Sequence, residues 1–165
     1  MGQLKPVSTG GLLKDVNDNF EALSTIGAFD GLHQRRTAVF TFDATGEDNQ
    51  AVDDYEAPWD LPANAIIVGG VLDVVKAFTG ETGATLAVSI VGANDIVAAA
   101  GVDGAPWSTT GRKAIVPKSN TPESTSIKLT ADSAITFTVA VEALTDGKAV
   151  LYLDYYEGIE TDSGE

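Results

Sequence analysis

The stretch from Leu61 to Val75, LPANAIIVGGVLDVV, constrains the fold most, because it is almost entirely apolar and rich in β-branched residues. Strict alternation indicates a strand with one wet face, whereas a nearly continuous apolar run indicates a strand covered on both faces. Gly69 and Gly70 in its middle predict a bulge, a bend or a close backbone approach. We therefore predict a central strand of a β-sandwich, with one side on the core and the other facing a partner subunit.

Alternation of apolar and polar residues predicts further strands. The clearest case runs from Ile135 to Glu142, where apolar residues alternate with threonine, alanine and glutamate. Asp146-Gly147 then predicts a hairpin connection into the last strand, and the strands at 61–75 and 84–91 are expected to form a meander. The predicted strands span residues 37–42, 61–75, 84–91, 96–100, 113–116, 126–131, 135–142 and 150–156. This pattern predicts an all-β, jelly-roll-like antiparallel β-sandwich of about eight strands.

The chain is expected to divide into an N-terminal arm (1–36), a β-sandwich domain (37–157) and an acidic C-terminal tail (158–165). The arm should contain one short amphipathic helix, because four apolar residues recur at the 3-4-3 spacing of a helical seam. The seam consists of Leu13, Val16, Phe20 and Leu23. A helix of about fifteen residues is marginal alone in water. Its seam must therefore pack against its own sandwich, against copies of itself or against a larger body.

The charge of the chain limits its partners. A net charge of −14 over 165 residues disfavours nucleic acid and anionic membranes, since phosphate would repel the chain. No apolar run approaches the length of a membrane span. The sequence has no cysteine, which excludes disulfides and thiolate chemistry. The acidic segment 43–60 lacks the EF-hand pattern, so we interpret it as a solvated loop and predict no metal and no cofactor.

The sequence shows no sign of catalysis. His33 is the only histidine, and no G-x-S-x-G elbow provides a nucleophile beside a base. The acidic residues cluster in predicted loops and the tail, which is typical of solvation rather than of paired catalytic carboxylates. Neither a phosphate-binding loop nor a dinucleotide motif occurs. We predict that the protein is not an enzyme.

Two small groups of residues are candidates for binding. Arg35 and Arg36 follow His33 in the only basic cluster of the chain, which indicates either solvated linker charges or an electrostatic contact to an acidic surface. Trp59 and Trp107, the only two tryptophans, each end an Ala-Pro-Trp tripeptide. Such aromatic residues plug the end of a sandwich or anchor an interface. The alternative is that they stack on a sugar ring.

Four segments resemble virion proteins of tailed bacteriophages. VNDNFEAL at 16–23 resembles short helices near the N-terminus of phage fibres and head-associated proteins. Three later segments resemble the β-sandwich of small decoration, or cement, proteins on phage heads. They are DLPANAIIVGGVLDVVKAFT at 60–79, AVSIVGANDIVAAA at 87–100 and ITFTVAVEALTDGKAVLYLDYYEG at 135–158.

The resemblance implies a structural virion protein on the outer surface of a phage head. It implies a homotrimer at three-fold positions of the capsid, bound to the major capsid protein, with the N-terminal arm reaching between capsid subunits. Two alternatives stay open at this point. One is a tail or fibre-associated virion protein, and the other, of a different class, is a carbohydrate-binding β-sandwich module.

Overall fold

The computed structural model of the protein describes residues 35–46, 48–118 and 126–157, which form eight β-strands. The strands are β1 (Arg35–Asp43), β2 (Asp53–Leu61), β3 (Ile66–Gly80), β4 (Thr85–Ser89), β5 (Val97–Gly101), β6 (Gly111–Ile115), β7 (Ser133–Ala140) and β8 (Leu144–Tyr156). None of these residues belongs to a helix that is long and apolar enough to cross a membrane. The predicted helix of the arm and the acidic tail lie outside the described residues.

The strands form two antiparallel sheets of four. The first sheet has the order β1-β8-β3-β6 and the second has the order β2-β7-β4-β5. Apart from β4 and β5, consecutive strands lie in opposite sheets, which is the double-sheet arrangement of an eight-stranded jelly roll. The prediction of an all-β, jelly-roll-like sandwich is confirmed.

The core lies between the two sheets and follows the period of two. In β7, Ile135, Phe137 and Val139 are buried while the intervening residues are only partly covered. Phe137 stacks on Phe42 of the first sheet with ring centroids 4.8 Å apart, so an aromatic pair joins the layers. Burying an aliphatic or phenyl side chain contributes about 1.5–3 kcal/mol. The alternation in the sequence therefore fixes which residues hold the sandwich together.

The two glycines of β3 serve two of the purposes that the sequence predicted, a bulge and a close backbone approach. Between Ile67 and Gly69 the strand advances two residues while β8 advances one, which is a β-bulge. A Cβ on Gly70 would collide with the carbonyl oxygen of Tyr152 in the neighbouring strand. β3 is a central strand, between β8 and β6, as expected.

The interpretation of residues 43–60 as a solvated loop is wrong, because β2 occupies its second half. β2 is an edge strand whose acidic residues face water. Only every second residue of β2 therefore points toward the core. Pro58 is tolerated at the edge, within a register shift between Glu56 and Asp60. The inward residues are Tyr55, Ala57, Trp59 and Leu61.

The predicted strand at 126–131 is also wrong in extent. Ile127 and Leu129 are buried as the alternation indicated, but the segment makes only one isolated bridge, between Lys128 and Ile66. Backbone hydrogen bonds from Ile67 to Ile127 and between Ala65 and Leu129 hold it beside the start of β3. The segment is thus an extended stretch that packs on the core beside β3 without belonging to either sheet.

Neither the meander nor the hairpin exists. β3 and β4 lie in different sheets, as do β7 and β8, so these chain neighbours do not pair. Gly147 lies inside β8 with φ of 141°, and a Cβ there would overlap the ring of Phe78. The glycine therefore permits the close approach of an aromatic ring and makes no turn. The chain changes sheets just before, at Val141, which has φ of 71°.

Candidate interaction surfaces

The outer face of the first sheet carries an apolar row that crosses all four strands. Directly paired residues of neighbouring strands point to the same face. Val39 of β1 pairs with Tyr152 of β8, which pairs with Val71 of β3, which pairs with Ala114 of β6. Val39 is 47% exposed and Tyr152 is 39% exposed, so the row is open to solvent. We call these four residues the apolar row.

Ion pairs flank the apolar row and join neighbouring strands of the same sheet. Each pair connects residues from adjacent strands, or from β1 and the residue that follows β8. The pairs are Arg35–Asp154 at 2.5 Å, Arg36–Glu157 at 2.7 Å, Arg112–Asp73 at 3.5 Å, Lys148–Asp43 at 2.6 Å and Lys76–Asp146. Lys113 instead donates to the carbonyl oxygens of Thr109 and Gly111. Every charged side chain in the strands of the first sheet therefore has a partner.

Three carboxyl groups of this sheet are held ionised by their partners. Hydrogen bonds from Lys148 and Thr45 lower the pKa of Asp43 from 3.8 to about 2. The hydrogen bond from Lys76 lowers the pKa of Asp146. Burial raises the pKa of Asp154, but hydrogen bonds from Thr37 and Arg35 outweigh burial and leave it below the usual value. These groups stay charged and paired at neutral pH.

Arg35 and Arg36, singled out in the sequence as a basic cluster, lie at the start of β1. Each is paired with an acid of the same chain, Arg35 with Asp154 and Arg36 with Glu157. Both side chains remain about half exposed. These ion pairs join the start of β1 to the end of β8. A contact of the two arginines with another acidic surface stays a prediction.

The second sheet presents a different outer face. Its strands contain four acidic residues and no basic residue, whereas those of the first sheet contain six basic and four acidic residues. Small residues cover its middle, and even Ala87, which points outward between Leu86 and Val88, is only 2% exposed. Asp54 accepts a hydrogen bond of 2.6 Å from the hydroxyl of Thr138. The charged residues of this face are all acidic and lie at its β2 edge.

The two tryptophans have different environments. Trp107 is fully buried, with its ring 5.6 Å from that of Phe78 and 6.4 Å from that of Phe137. It plugs the sandwich, and no face of its ring is open to a glycan. Trp59 of β2 is partly exposed and meets Phe40 edge to face at 6.5 Å. These two rings close the side of the sandwich between β1 and β2.

The remaining polar groups have structural roles. Asp95, the one buried charged side chain among the described residues, accepts hydrogen bonds from the backbone N–H groups of Ile90, Val91 and Gly92. It therefore shapes the turn between β4 and β5. Within the described ranges, no three acidic or histidine side chains are grouped so that they could hold a metal ion. The helix seam of Leu13, Val16, Phe20 and Leu23 lies outside these ranges.

The fold has relatives among solved structures. No protein-family profile and no curated protein matches the sequence. A chain of the capsid asymmetric unit of cyanophage Pam1 matches 74% of this chain and 84% of its own length, with 20% identity and a TM-score of 0.54. A chain from the capsid of Ralstonia phage GP4 matches 76% of this chain and 86% of its own length, with 22% identity and a TM-score of 0.51. At these identities the likeness establishes a shared β-sandwich fold.

Proposed function

We propose that the protein is a structural component of a bacteriophage virion, a decoration or cement protein that binds the outside of the assembled head. The observation that carries the proposal is the fold, an eight-stranded jelly roll similar to chains of two phage capsids over about three quarters of its length. The outer face of the first sheet adds support, because an apolar row beside paired charges suits a contact with protein.

The proposed partner is the major capsid protein of the same virion. A protein that binds the assembled shell but not its separated subunits stabilises the shell by linkage. The net charge of −14 favours the outer surface over the interior, where the packaged DNA would repel an acidic chain. This mechanism needs binding alone and no chemistry.

The proposal includes a homotrimer and a docking role for the N-terminal arm. The seam of Leu13, Val16, Phe20 and Leu23 is proposed to dock on the capsid or to join the copies of the trimer. A segment that orders on binding loses conformational entropy at that step, which its buried apolar surface offsets. The first described strand begins at Arg35, twelve positions after the last residue of the seam, Leu23.

The direct test mixes the full-length protein with heads assembled without it. We expect the protein to sediment with the heads at saturating stoichiometry and to raise the temperature at which the heads come apart. Separated capsid subunits serve as the control and should not bind. If the protein stays in the supernatant while the heads sediment, but labels the tails of intact virions, the tail or fibre alternative would replace this proposal.

Substitutions in the seam test the arm. Val16→Asp combined with Phe20→Asp places charges on the apolar stripe, and we expect head binding to weaken by more than about tenfold, or about 1.4 kcal/mol. Ala22→Asp combined with Thr25→Asp is the matched control, because it adds the same two charges at residues that lie away from the stripe on the predicted helix. Equal binding of the wild type, the seam variant and the control would exclude a role of the seam.

A further inference from the structure

We propose that copies of this chain meet through the outer face of the first sheet, with three copies arranged around an axis that runs along the strands. This inference rests on the homotrimer proposed above and identifies the surface that forms it. The proposed partner at this face is a second copy of the same chain, and its net charge is therefore also −14.

Charge selects this face for contact between copies. Two chains of net charge −14 repel each other unless the surfaces that touch are locally neutral. On the first sheet, each of the four strand carboxylates is paired with a lysine or arginine of a neighbouring strand. The strands of the second sheet carry four carboxylates and no base, so that face repels its own copy. Only the first face can be covered without burying a strand carboxylate that lacks a basic partner.

The apolar row gives this face something to bury. Val39, Tyr152, Val71 and Ala114 form a continuous band from one edge of the sheet to the other. Tyrosine is enriched in the centre of protein interfaces, whereas lysine, aspartate and glutamate are depleted there. Tyr152 lies on β8, one of the two inner strands, and is therefore near the middle of the face.

The width of the sheet suits three copies. Four strands spaced about 4.8 Å apart make a face about 19 Å wide. Three such faces around an axis leave about 5.5 Å between each sheet and the axis, close to the thickness of one side-chain layer, about 5 Å. Four faces would leave about 9.5 Å and an unfilled channel. The side chains of Tyr152 and Val71 would fill the centre of a trimer.

Three-fold symmetry also decides which residues meet at the corners. A cyclic trimer uses heterologous contacts, in which one patch meets a different patch of the next copy. The β1 edge of one copy then meets the β6 edge of its neighbour. The apolar row ends in the larger Val39 at the first edge and in the small Ala114 at the second. A large residue thus faces a small one at each corner.

The absence of cysteine from the chain makes cross-linking a clean test. We would prepare the full-length chain with Val39→Cys and Ala114→Cys together, oxidise it mildly and separate the products without reductant. A covalent trimer is expected from the double variant and no cross-linked product from either single variant. Glu56→Cys with Ala99→Cys is the matched control, because these exposed residues lie on the two edge strands of the second sheet. It should give no cross-link.

A charge in the centre of the face provides a second measurement. Tyr152→Lys places one cation from each copy near the three-fold axis of the trimer. Light scattering should then show that the solution mass falls from that of three chains to that of one. Thr136→Lys on β7 is the control, since it adds the same charge to the outer face of the second sheet and should leave the mass unchanged. Circular dichroism of each variant confirms that the β-fold is intact.

The outcomes separate this inference from the function proposed above. A wild-type protein that stays monomeric at all concentrations overturns the homotrimer and this face together, while binding to heads stands or falls by its own test. A wild-type trimer that survives Tyr152→Lys, or that cross-links through the second sheet, overturns the face alone.

Discussion

The two sheets contain the same cross-strand pair in different surroundings. Thr37 donates to its register partner Asp154 at 2.5 Å on the first sheet, and Thr138 donates to its register partner Asp54 at 2.6 Å on the second. On the first sheet, Arg35 also donates to Asp154 at 2.5 Å. Asp154 is thus neutralised by a neighbouring strand, whereas the strands around Asp54 offer no cation.

This difference extends over both outer faces. The inner faces of a sandwich must both be apolar because they share one core. The outer faces are free to differ, and here one pairs all of its strand carboxylates around an apolar row while the other carries acidic residues without basic partners in its strands. A face whose carboxylates are paired is desolvated at lower cost than a face of unpaired carboxylates. The contrast indicates that one side of the domain is suited to contact and the other to solvent.

The largest effect on this contrast is expected from one matched pair of glycines. Gly70→Ala in the first sheet should lower the free energy of unfolding by about 3 kcal/mol or more, because the new Cβ would collide with the backbone of β8. Gly101→Ala in the second sheet should cost less than about 1 kcal/mol, since its nearest neighbour is the movable carboxylate of Asp103 at 2.6 Å. Urea unfolding of both variants measures the difference.

Equal losses for the two glycine variants would contradict this expectation. They would indicate that the close pairing of β3 and β8 is not the tightest backbone contact. Gly46→Ala provides a further control for the left-handed conformation alone, because Gly46 has φ of 103° and no atom lies within 4 Å of its would-be Cβ.

A smaller effect should separate the two Thr–Asp pairs. Asp154→Asn removes the charged partner of Arg35 and should lower the free energy of unfolding by about 1 kcal/mol, with less effect at high salt. Asp54→Asn removes one charge from an acidic edge and should change stability by less than about 0.5 kcal/mol in either direction. Thermal unfolding at low and high ionic strength tests the pair, and a larger loss in Asp54→Asn would invert the proposed contrast.

The smallest expected effect is a dependence on pH through Asp43. Folding lowers the pKa of this carboxyl from 3.8 to about 2, so the folded state binds its proton less tightly than the unfolded state. The stability that this provides is present above about pH 4 and is lost as the pH falls through about 2. Because the side chain is 35% exposed, we expect less than about 1 kcal/mol. Lys148→Gln should reduce the dependence of the melting temperature on pH between about pH 2 and pH 4. An unchanged dependence would show that the Lys148–Asp43 pair is not its cause.

The strands that were found from the sequence have strong apolar signals. β7 and β3 show theirs because alternation or continuous apolar content reflects the layers that cover them. β2 was missed because four carboxylates and Pro58 outweighed the weaker alternation of Tyr55, Ala57, Trp59 and Leu61. An edge strand faces water on one side, so its composition approaches that of a loop. Attention to every second residue alone would have found it.

The candidate surface was predicted only in part. The apolar row passes through Val71 on the outer side of β3, and a partner subunit on that side stays a prediction. The other members of that row come from distant parts of the sequence, and no local pattern connects Val39 with Tyr152 or Ala114. For Trp107 the sequence left three roles open, a plug of the sandwich, an interface anchor and a sugar platform, and only the structure places its ring in the core.

The sequence alone determined which residues of a clearly alternating strand such as β7 face the core, because alternation is a local consequence of backbone geometry. It also determined the acidic character and the freedom from cysteine. Only the tertiary structure decided which strands pair. Gly147 illustrates why, since its sequence is that of a turn, yet it lies in β8 under the ring of Phe78. The meaning of such a residue depends on a contact with a residue about seventy positions away, and pairing of that kind is set by the packing of the whole core.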